Sequence, residues 1–397
     1  MHDVWITGVG VVSALGSGLE PHASAMINSR TGLTTHNFFN GNPPDPIFCG
    51  LIPSAVLAPT IEECVSNRAD LILEMAVMQA LQSASFSLPL QADIIAGTTL
   101  GNMNGGTQYY KRIKDGKSPD ISLIQHFLLC APLIHVTEKL SISGKRWTVA
   151  SACGSASAAM GHAFHMIRSG ESRCVIAGGF EALSPFVVAG FNSLQLISKR
   201  ECRPFDKNRD GLNPGESAVM LVIEQKEAAL KRGAQPFAAI SGFGDGLDAY
   251  HYTRSHPAGD GLVRAIQKAL FSSTTTVNDI DHVHLHGTGT QANDLSEFMA
   301  LKALFSDTLP ALPLCSTKPL TGHTFGASGA LNVVFSLLSI RERCVPPTLF
   351  LRELDPQFER LNISGRPQKI DRLKTVLCTS MGFGGEAFAL VITGVDG

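Results

Sequence analysis

The sequence predicts an α/β protein built from two similar halves, and three observations carry that expectation. Short apolar strands alternate with helical stretches such as 70–85, 155–169 and 328–341, the pattern of a sheet layered with helices. Segments of the first half recur, in order, in the second. The 397 residues are 44% hydrophobic and 17% charged, which allows an extensive buried core.

The recurrence is legible segment by segment. Ile6-Thr7-Gly8-Val9-Gly10 has a counterpart in Ile240-Ser241-Gly242-Phe243-Gly244. Ala96-Gly97-Thr98-Thr99 and His286-Gly287-Thr288-Gly289-Thr290 each close a β-branched run. The helix-like GSASAAMGHAFHMIRSGE after Cys153 is matched by GASGALNVVFSLLSIRER from Gly326. Gly215-Glu216-Ser217 leads into AVMLVIE, and Gly385-Glu386-Ala387 into FALVIT. Glycine turns before apolar strands are common singly, but four in register argue for duplication. The halves are read as 1–235 and 236–397. The first carries an insertion-like region around 100–140, and Glu224 to Pro236 reads as a polar helix and turn joining the two.

Several classes of function are disfavoured. A net charge of −2 gives no basic footprint for nucleic acid. No run of 18 apolar residues suggests a membrane span, and the N-terminus lacks the basic flank of a signal peptide, reading instead as strand and turn. The nine cysteines are odd in number and irregularly spaced, and no two form CxxC. That argues against both a metal site and a disulfide framework, and makes a reduced cytoplasm the simplest home. GVGVVSALG near the start lacks the GxGxxG spacing of a dinucleotide loop.

Four places carry candidate chemistry. Cys153 follows a strand-like run and precedes small residues, so its thiol falls at the first turn of a helix, where peptide dipoles favour an anion. Packing as a small hydrophobe is the competing reading. His286 ends a short strand, and Asp294 and Glu297 lie three apart on the following helix, where a capping or ion-pairing face is equally open. Lys318 and His323 occupy a glycine-punctuated loop, with Glu297 the plausible carboxylate for the lysine. Phe383, flanked by glycines, could turn backbone N–H groups toward a site or simply occupy a tight turn.

Together these segments resemble the elongating β-ketoacyl-acyl carrier protein synthases, or ketosynthases, of the thiolase superfamily. ITGVGVVSALG, SACGSAS, RPFDKNRDG, DAYHYTRSHPAGDG, HGTGTQANDLSE, STKPLTGH and GFGG match family signatures along essentially the whole chain. The resemblance implies a thiolase-like fold, a duplicated α/β unit in five layers, αβαβα. It implies that Cys153 carries the acyl chain as a low-pKa thiolate, and that His286 and His323 stabilise the enolate formed as malonyl thioester loses CO₂. Backbone N–H groups of Cys153 and Phe383 would form the oxyanion hole. Lys318 would share a charge network with Glu297, with Asp294 in support, and Thr288 and Thr290 would bind substrate. No cofactor is bound for catalysis, since the acyl carrier protein brings the phosphopantetheine. The partners implied are that carrier and a second subunit, in a homodimer or a heterodimer with a ketosynthase-like chain.

The departures from the pattern matter too. Met381 stands for the usual Phe, Glu386-Ala387 for Thr-Asn, Leu212 for Phe after RDG, and Ser217 for Gly. They raise an alternative, a non-catalytic partner subunit of the chain-length-factor type, and they leave fatty acid synthesis and a dedicated polyketide, polyene or specialised lipid pathway both open. Gly106 falls where a bulky residue can limit the acyl pocket, which predicts a pocket open to medium or long chains. Arg68, Lys111, Arg112 and Arg203 are candidates for docking an acidic carrier.

Overall fold

The computed structural model of the chain describes residues 1–38, 46–57, 68–358 and 361–395. One mixed sheet runs through the molecule. The first half supplies β1 (Val4–Ser13), β2 (Asp93–Gly97), β3 (Arg146–Val149), β4 (Cys174–Glu181) and β5 (Ser217–Gln225). The second supplies β6 (Ala238–Leu247), β7 (His282–His284), β8 (Pro313–Cys315), β9 (Asn362–Ile363), β10 (Thr375–Met381) and β11 (Glu386–Thr393). The path is β3-β2-β4-β5-β1 and then β6-β11-β10-β7-β8-β9. Without β9, the second wing repeats the first about the β1–β6 contact. The directions repeat as well. In each wing the three strands nearest the centre pair antiparallel, and the next two pair parallel. The wings meet antiparallel at Trp5–Ala239 and Ile6–Ala238.

Helices complete five layers. The helices that position the site and its surroundings are α1 (Arg68–Ser83), α2 (Met103–Lys114), α3 (Ile121–Phe127), α4 (Ala131–Lys139), α5 (Ser155–Ser169), α6 (Pro185–Ser193), α7 (Asp260–Ser273), α8 (Gln291–Phe305) and α9 (Ser328–Glu342). α1 covers the outer face of β1 and β5, and α7 covers that of β6 and β11. α5 and α9 lie between the wings and touch each other. A helix in that central layer must be acceptable to its neighbours on every side. Accordingly every residue from Ser328 to Ser339 is buried, and α5 meets its surroundings with Ala, Ser and Gly.

The repeated glycines have a packing cause. A Cβ on Gly8 or Gly10 would collide with the carbonyl oxygens of Ala80 or Ala76 in α1. A Cβ on Gly242 or Gly244 would collide with those of Ala269 or Ala265 in α7. Both strands also change register at the equivalent point, between Ile6 and Gly8 and between Ile240 and Gly242. The GVG motif lets a helix lie directly on a strand. The insertion-like region of the first half holds α2, α3 and α4, and the join is the short helix Lys226–Lys231, with Glu224 and Gln225 still in β5. Among the described residues no single helix is long and apolar enough to cross a membrane.

Candidate active site

The first half contributes a sharp elbow between β3 and α5. Ala152 takes the left-handed conformation, φ 45°, so the chain reverses immediately before Cys153. The Ser155 hydroxyl secures the reversal, accepting from the Ser151 N–H at 2.9 Å and donating to the Ala152 carbonyl at 2.6 Å. Cys153 is 6% exposed and borders a cavity of about 390 Å³ that it shares with His286, His323, Thr288, Thr290 and Phe383. The backbone N–H groups of Cys153 itself and of Phe383 face its sulfur. Gly384 and Gly385, at φ 90° and 86°, make the turn that brings Phe383 there.

The second half contributes the histidines. His286 lies two residues beyond the end of β7, and its N–H and that of Gly287 donate to the Glu297 carboxylate at 2.7 and 2.8 Å. Thr379 of β10 donates to the same carboxylate at 2.6 Å. His323 is fixed by its backbone, donating to the Asn213 carbonyl at 2.7 Å and accepting from Gly215 N–H at 2.8 Å. Its Nε2 lies 3.2 Å from the Cys153 sulfur, and its ring stands nearly perpendicular to that of His286, with centroids 5.3 Å apart. Four residues from four separate segments thus converge on one cavity.

Two expectations change here. Lys318 and Glu297 do not pair directly. The ammonium donates to the His286 carbonyl while Glu297 holds the His286 N–H, so the two charges grip opposite sides of the stretch carrying that histidine. Nor is the resting thiol acidic. Burial pushes Cys153 up to about 12, against the opposing pull of Lys318 and the two N–H groups. The helix start offers N–H groups, but exclusion of water costs the thiolate more.

The same burial shapes the other groups. Both histidines are held well below their usual range, by burial first and then by the Lys318 charge, so they stand neutral. A neutral imidazole carries one N–H, and the Nδ1 atoms of both rings have no hydrogen-bond partner. The Nε2 of His323 is the ring nitrogen that faces the sulfur. Burial lowers Lys318 to about 8, while Glu297 and the thiols nearby favour its charge. Burial likewise raises Glu297 and lifts Asp294 to about 6.

Asp294 acts one layer out, accepting from Phe205 N–H at 2.9 Å and Gly289 N–H at 3.1 Å beside Arg209. Thr288 and Thr290 border the cavity and bond to each other at 2.8 Å. Of the departures, Met381 and Leu212 line the cavity. Glu386 accepts from the Ser151 hydroxyl. Glu216 holds the N–H groups of Ile52 and Leu183 together with Arg68. That ion pair takes Arg68 out of the set of docking residues, and Arg203, 8% exposed, leaves it too. Lys111 and Arg112 are exposed on α2. Gly106 does not border the cavity. A Cβ on Gly106 would meet the Phe127 ring at 2.5 Å.

Two functional supports escaped the sequence reading. Glu181 at the end of β4 accepts from the N–H groups of Thr99, Leu100 and Gly326 at 2.8, 3.1 and 3.0 Å, tying the two halves beside the elbow. A lone carboxylate closing the apolar strand CVIAGGFE was the available signal. Asn332, in the middle of α9, donates to the carbonyls of Leu285 and Thr379, both at 3.3 Å. The cysteines among the described residues are free, and Cys64 lies outside those residues. His282, His284 and Cys315 could in principle ligate a metal, their ligand atoms lying within 4.8 Å of one another. Each is wholly buried and already bonded: His282 to the Pro313 carbonyl and Cys315 sulfur, His284 to Thr317.

Comparison with known proteins agrees with this geometry. Residues 1–229 match the "Beta-ketoacyl synthase, N-terminal domain" and residues 237–352 the "Beta-ketoacyl synthase, C-terminal domain". A "3-oxoacyl-[acyl-carrier-protein] synthase 2" of Coxiella burnetii is 31% identical over 410 residues, covering 99% of this chain and 98% of its own length. The crystal structure of a β-ketoacyl synthase from Burkholderia phymatum superposes with a TM-score of 0.91 at 29% identity, over 100% of both chains. The ishigamide ketosynthase/chain length factor does so with a TM-score of 0.91 at 27% identity, again over 100% of both. The two family matches, which together span most of the chain, show that this chain belongs to the β-ketoacyl synthase family.

Proposed function

We propose that this chain catalyses the decarboxylating condensation of an acyl group with malonyl-acyl carrier protein, giving a β-ketoacyl-carrier product. One observation carries the reading: the Cys153 thiol faces two backbone N–H donors and a neutral histidine, with a second neutral histidine bordering the same cavity.

The chemistry runs in two transfers. Cys153 attacks the acyl-carrier thioester, and the carrier thiol leaves with the proton the cysteine gives up. The thiolate is disfavoured at rest, so it is stabilised only as it forms, by the Lys318 charge and by the Cys153 and Phe383 N–H groups. The same N–H pair is placed to receive the tetrahedral oxyanion. Malonyl-carrier then enters, and its thioester oxygen accepts from His286 and His323. Loss of CO₂ leaves an enolate whose charge those donors meet. Its carbon attacks the acyl-cysteine carbonyl, a C–C bond forms, the C–S bond breaks, and Cys153 takes up a proton. Burial and the Lys318 charge keep the histidines neutral, so they donate through a weakly acidic N–H and carry no imidazolium proton to quench the enolate.

The phosphopantetheine arm arrives with the carrier, whose acidic surface the exposed Lys111 and Arg112 suit. A second subunit is expected on the first half. Among the described residues β3 ends the sheet on the side of the first half, and Tyr110, Ile121 and Leu128 are exposed on and beside α2 and α3. Free thiols throughout the described residues suit the cytoplasm. A chain-length-factor type partner would have no use for this set of reactive groups, which favours the enzyme. The test is to incubate the protein with acyl-carrier primers of graded length and malonyl-carrier, and to look for the β-ketoacyl product and CO₂. Product with at least one primer is expected. No product with any primer overturns the reading in favour of a non-catalytic partner.

A further inference from the structure

The two N–H groups that face the Cys153 sulfur come from turns far apart in sequence, and a single side chain bridges those turns. Ser151, two residues before Cys153, donates its hydroxyl to the Glu386 carboxylate. The backbone carbonyl of the same Glu386 accepts from Gly382 N–H at 2.8 Å, immediately before Phe383. The Gly385 N–H closes that turn on the Gly382 carbonyl at 3.2 Å. The turns themselves are pressed together. A Cβ on Gly382 would lie 3.2 Å from the Ser151 carbonyl oxygen and 3.4 Å from the Cys153 nitrogen.

From this geometry we infer that Glu386 is a positioning residue, a brace that sets the distance between the Cys153 and Phe383 N–H groups for acyl transfer. The inference rests on the proposed condensation chemistry and adds to it a residue at a position where this chain departs from the family pattern. The elbow it joins is strained at Ala152, φ 45°, whose carbonyl also accepts from the Ser155 and Thr99 hydroxyls at 2.6 and 3.1 Å. Among the described residues no cation pairs with Glu386, and burial raises its carboxyl, so its hydrogen bond to Ser151 is the contact that matters. An oxyanion hole depends on donor placement at the scale of tenths of an ångström, and loosening one donor is felt in acyl transfer first. Malonyl decarboxylation depends on the histidines, so it gives an internal reference.

The experiment compares wild type, Ser151→Ala, Glu386→Ala, the double variant and Glu386→Gln. Two rates are read: single-turnover acylation of Cys153 by an octanoyl thioester of N-acetylcysteamine, and CO₂ release from malonyl-carrier. Acylation should fall about 10- to 100-fold in either alanine variant. The double variant should lose no more than either single one, because both remove the same link. CO₂ release should stay within about 2-fold, and Glu386→Gln, which keeps an acceptor oxygen, within about 3-fold of wild-type acylation. Losses that add, or CO₂ release that falls in step with acylation, overturn the brace. So does a Ser151→Ala variant acylated as fast as wild type. If Glu386→Ala does not fold, Ser151→Ala and Glu386→Gln decide the matter. A wild type acylated by no acyl thioester of a graded series, the octanoyl one included, overturns the proposed function itself, which separates the two failures.

Discussion

The elbow before α5 and the elbow before α9 are the same device put to different uses. Each places a non-glycine residue in the left-handed region three positions ahead of its helix: Ala152 at φ 45°, then Phe325 at φ 41°. Each is followed at the third position by a buried serine that opens the helix, Ser155 or Ser328. At the apex the first elbow carries Cys153 and the second Gly326. The first opens on the cavity. The second is pressed against the first half, where a Cβ on Gly326 would lie 2.6 Å from the Thr99 nitrogen and 2.7 Å from the Glu181 carboxylate. The duplicated fold supplies two strained turns, and only the one with room above its apex can hold a nucleophile. The other half supplies charge and hydrogen-bond donors, which its own elbow does not use.

The sharpest way to separate the two contributions is to remove one at a time. Alanine at His323 or His286 should slow malonyl decarboxylation by about 10²- to 10³-fold, the usual cost of a lost donor to a developing anion. Acylation of Cys153 should persist in the same variants, measured in a single turnover. A smaller effect is expected at the second apex. Gly326→Ala should destabilise the protein by about 1–3 kcal/mol, because the elbow is closed on both sides. Urea unfolding measures this, and an unchanged midpoint would mean the elbows do not differ in room.

The smallest effect is a pH limb. The cationic Lys318 favours the Cys153 thiolate, whereas Glu181 opposes it. Lys318 is held at about 8, below its ordinary value, so its charge is present under that pH and is lost as pH rises through it. The acyl-transfer rate of wild type should therefore gain less than expected from thiol ionisation above about pH 8, or fall. Lys318→Met should abolish that break in the profile. A break that survives the substitution would assign it to another group.

Much of this was legible in the sequence because it depends on local pattern. Small residues after Cys153 marked a helix packed closely into the core along most of its surface, and the paired glycines of β1 and β6 marked the duplication. The convergence of Cys153, His286, His323 and Phe383 was implied by the resemblance that the ordered motifs carry, not by their spacing. What escaped depends on distance in space. Burial reverses the expected acidity of Cys153, and no spacing rule reports how much water a cavity excludes. Lys318 and Glu297 suggested an ion pair, but a backbone segment lies between them. Arg68 read as a docking candidate, but Glu216, 148 residues away, holds it in an ion pair. The link from Ser151 to Glu386 spans 235 residues and has no signature in either segment alone.

The central claim is that Cys153, and no other of the nine cysteines, accepts the acyl group. The most direct measurement is intact and peptide mass spectrometry after a pulse of acyl-carrier protein, with Cys153→Ala as the control. One acyl group on the peptide containing Cys153, and none on the variant, is the expected result. An unmodified wild type across all primers, or an adduct that survives Cys153→Ala, would contradict the account.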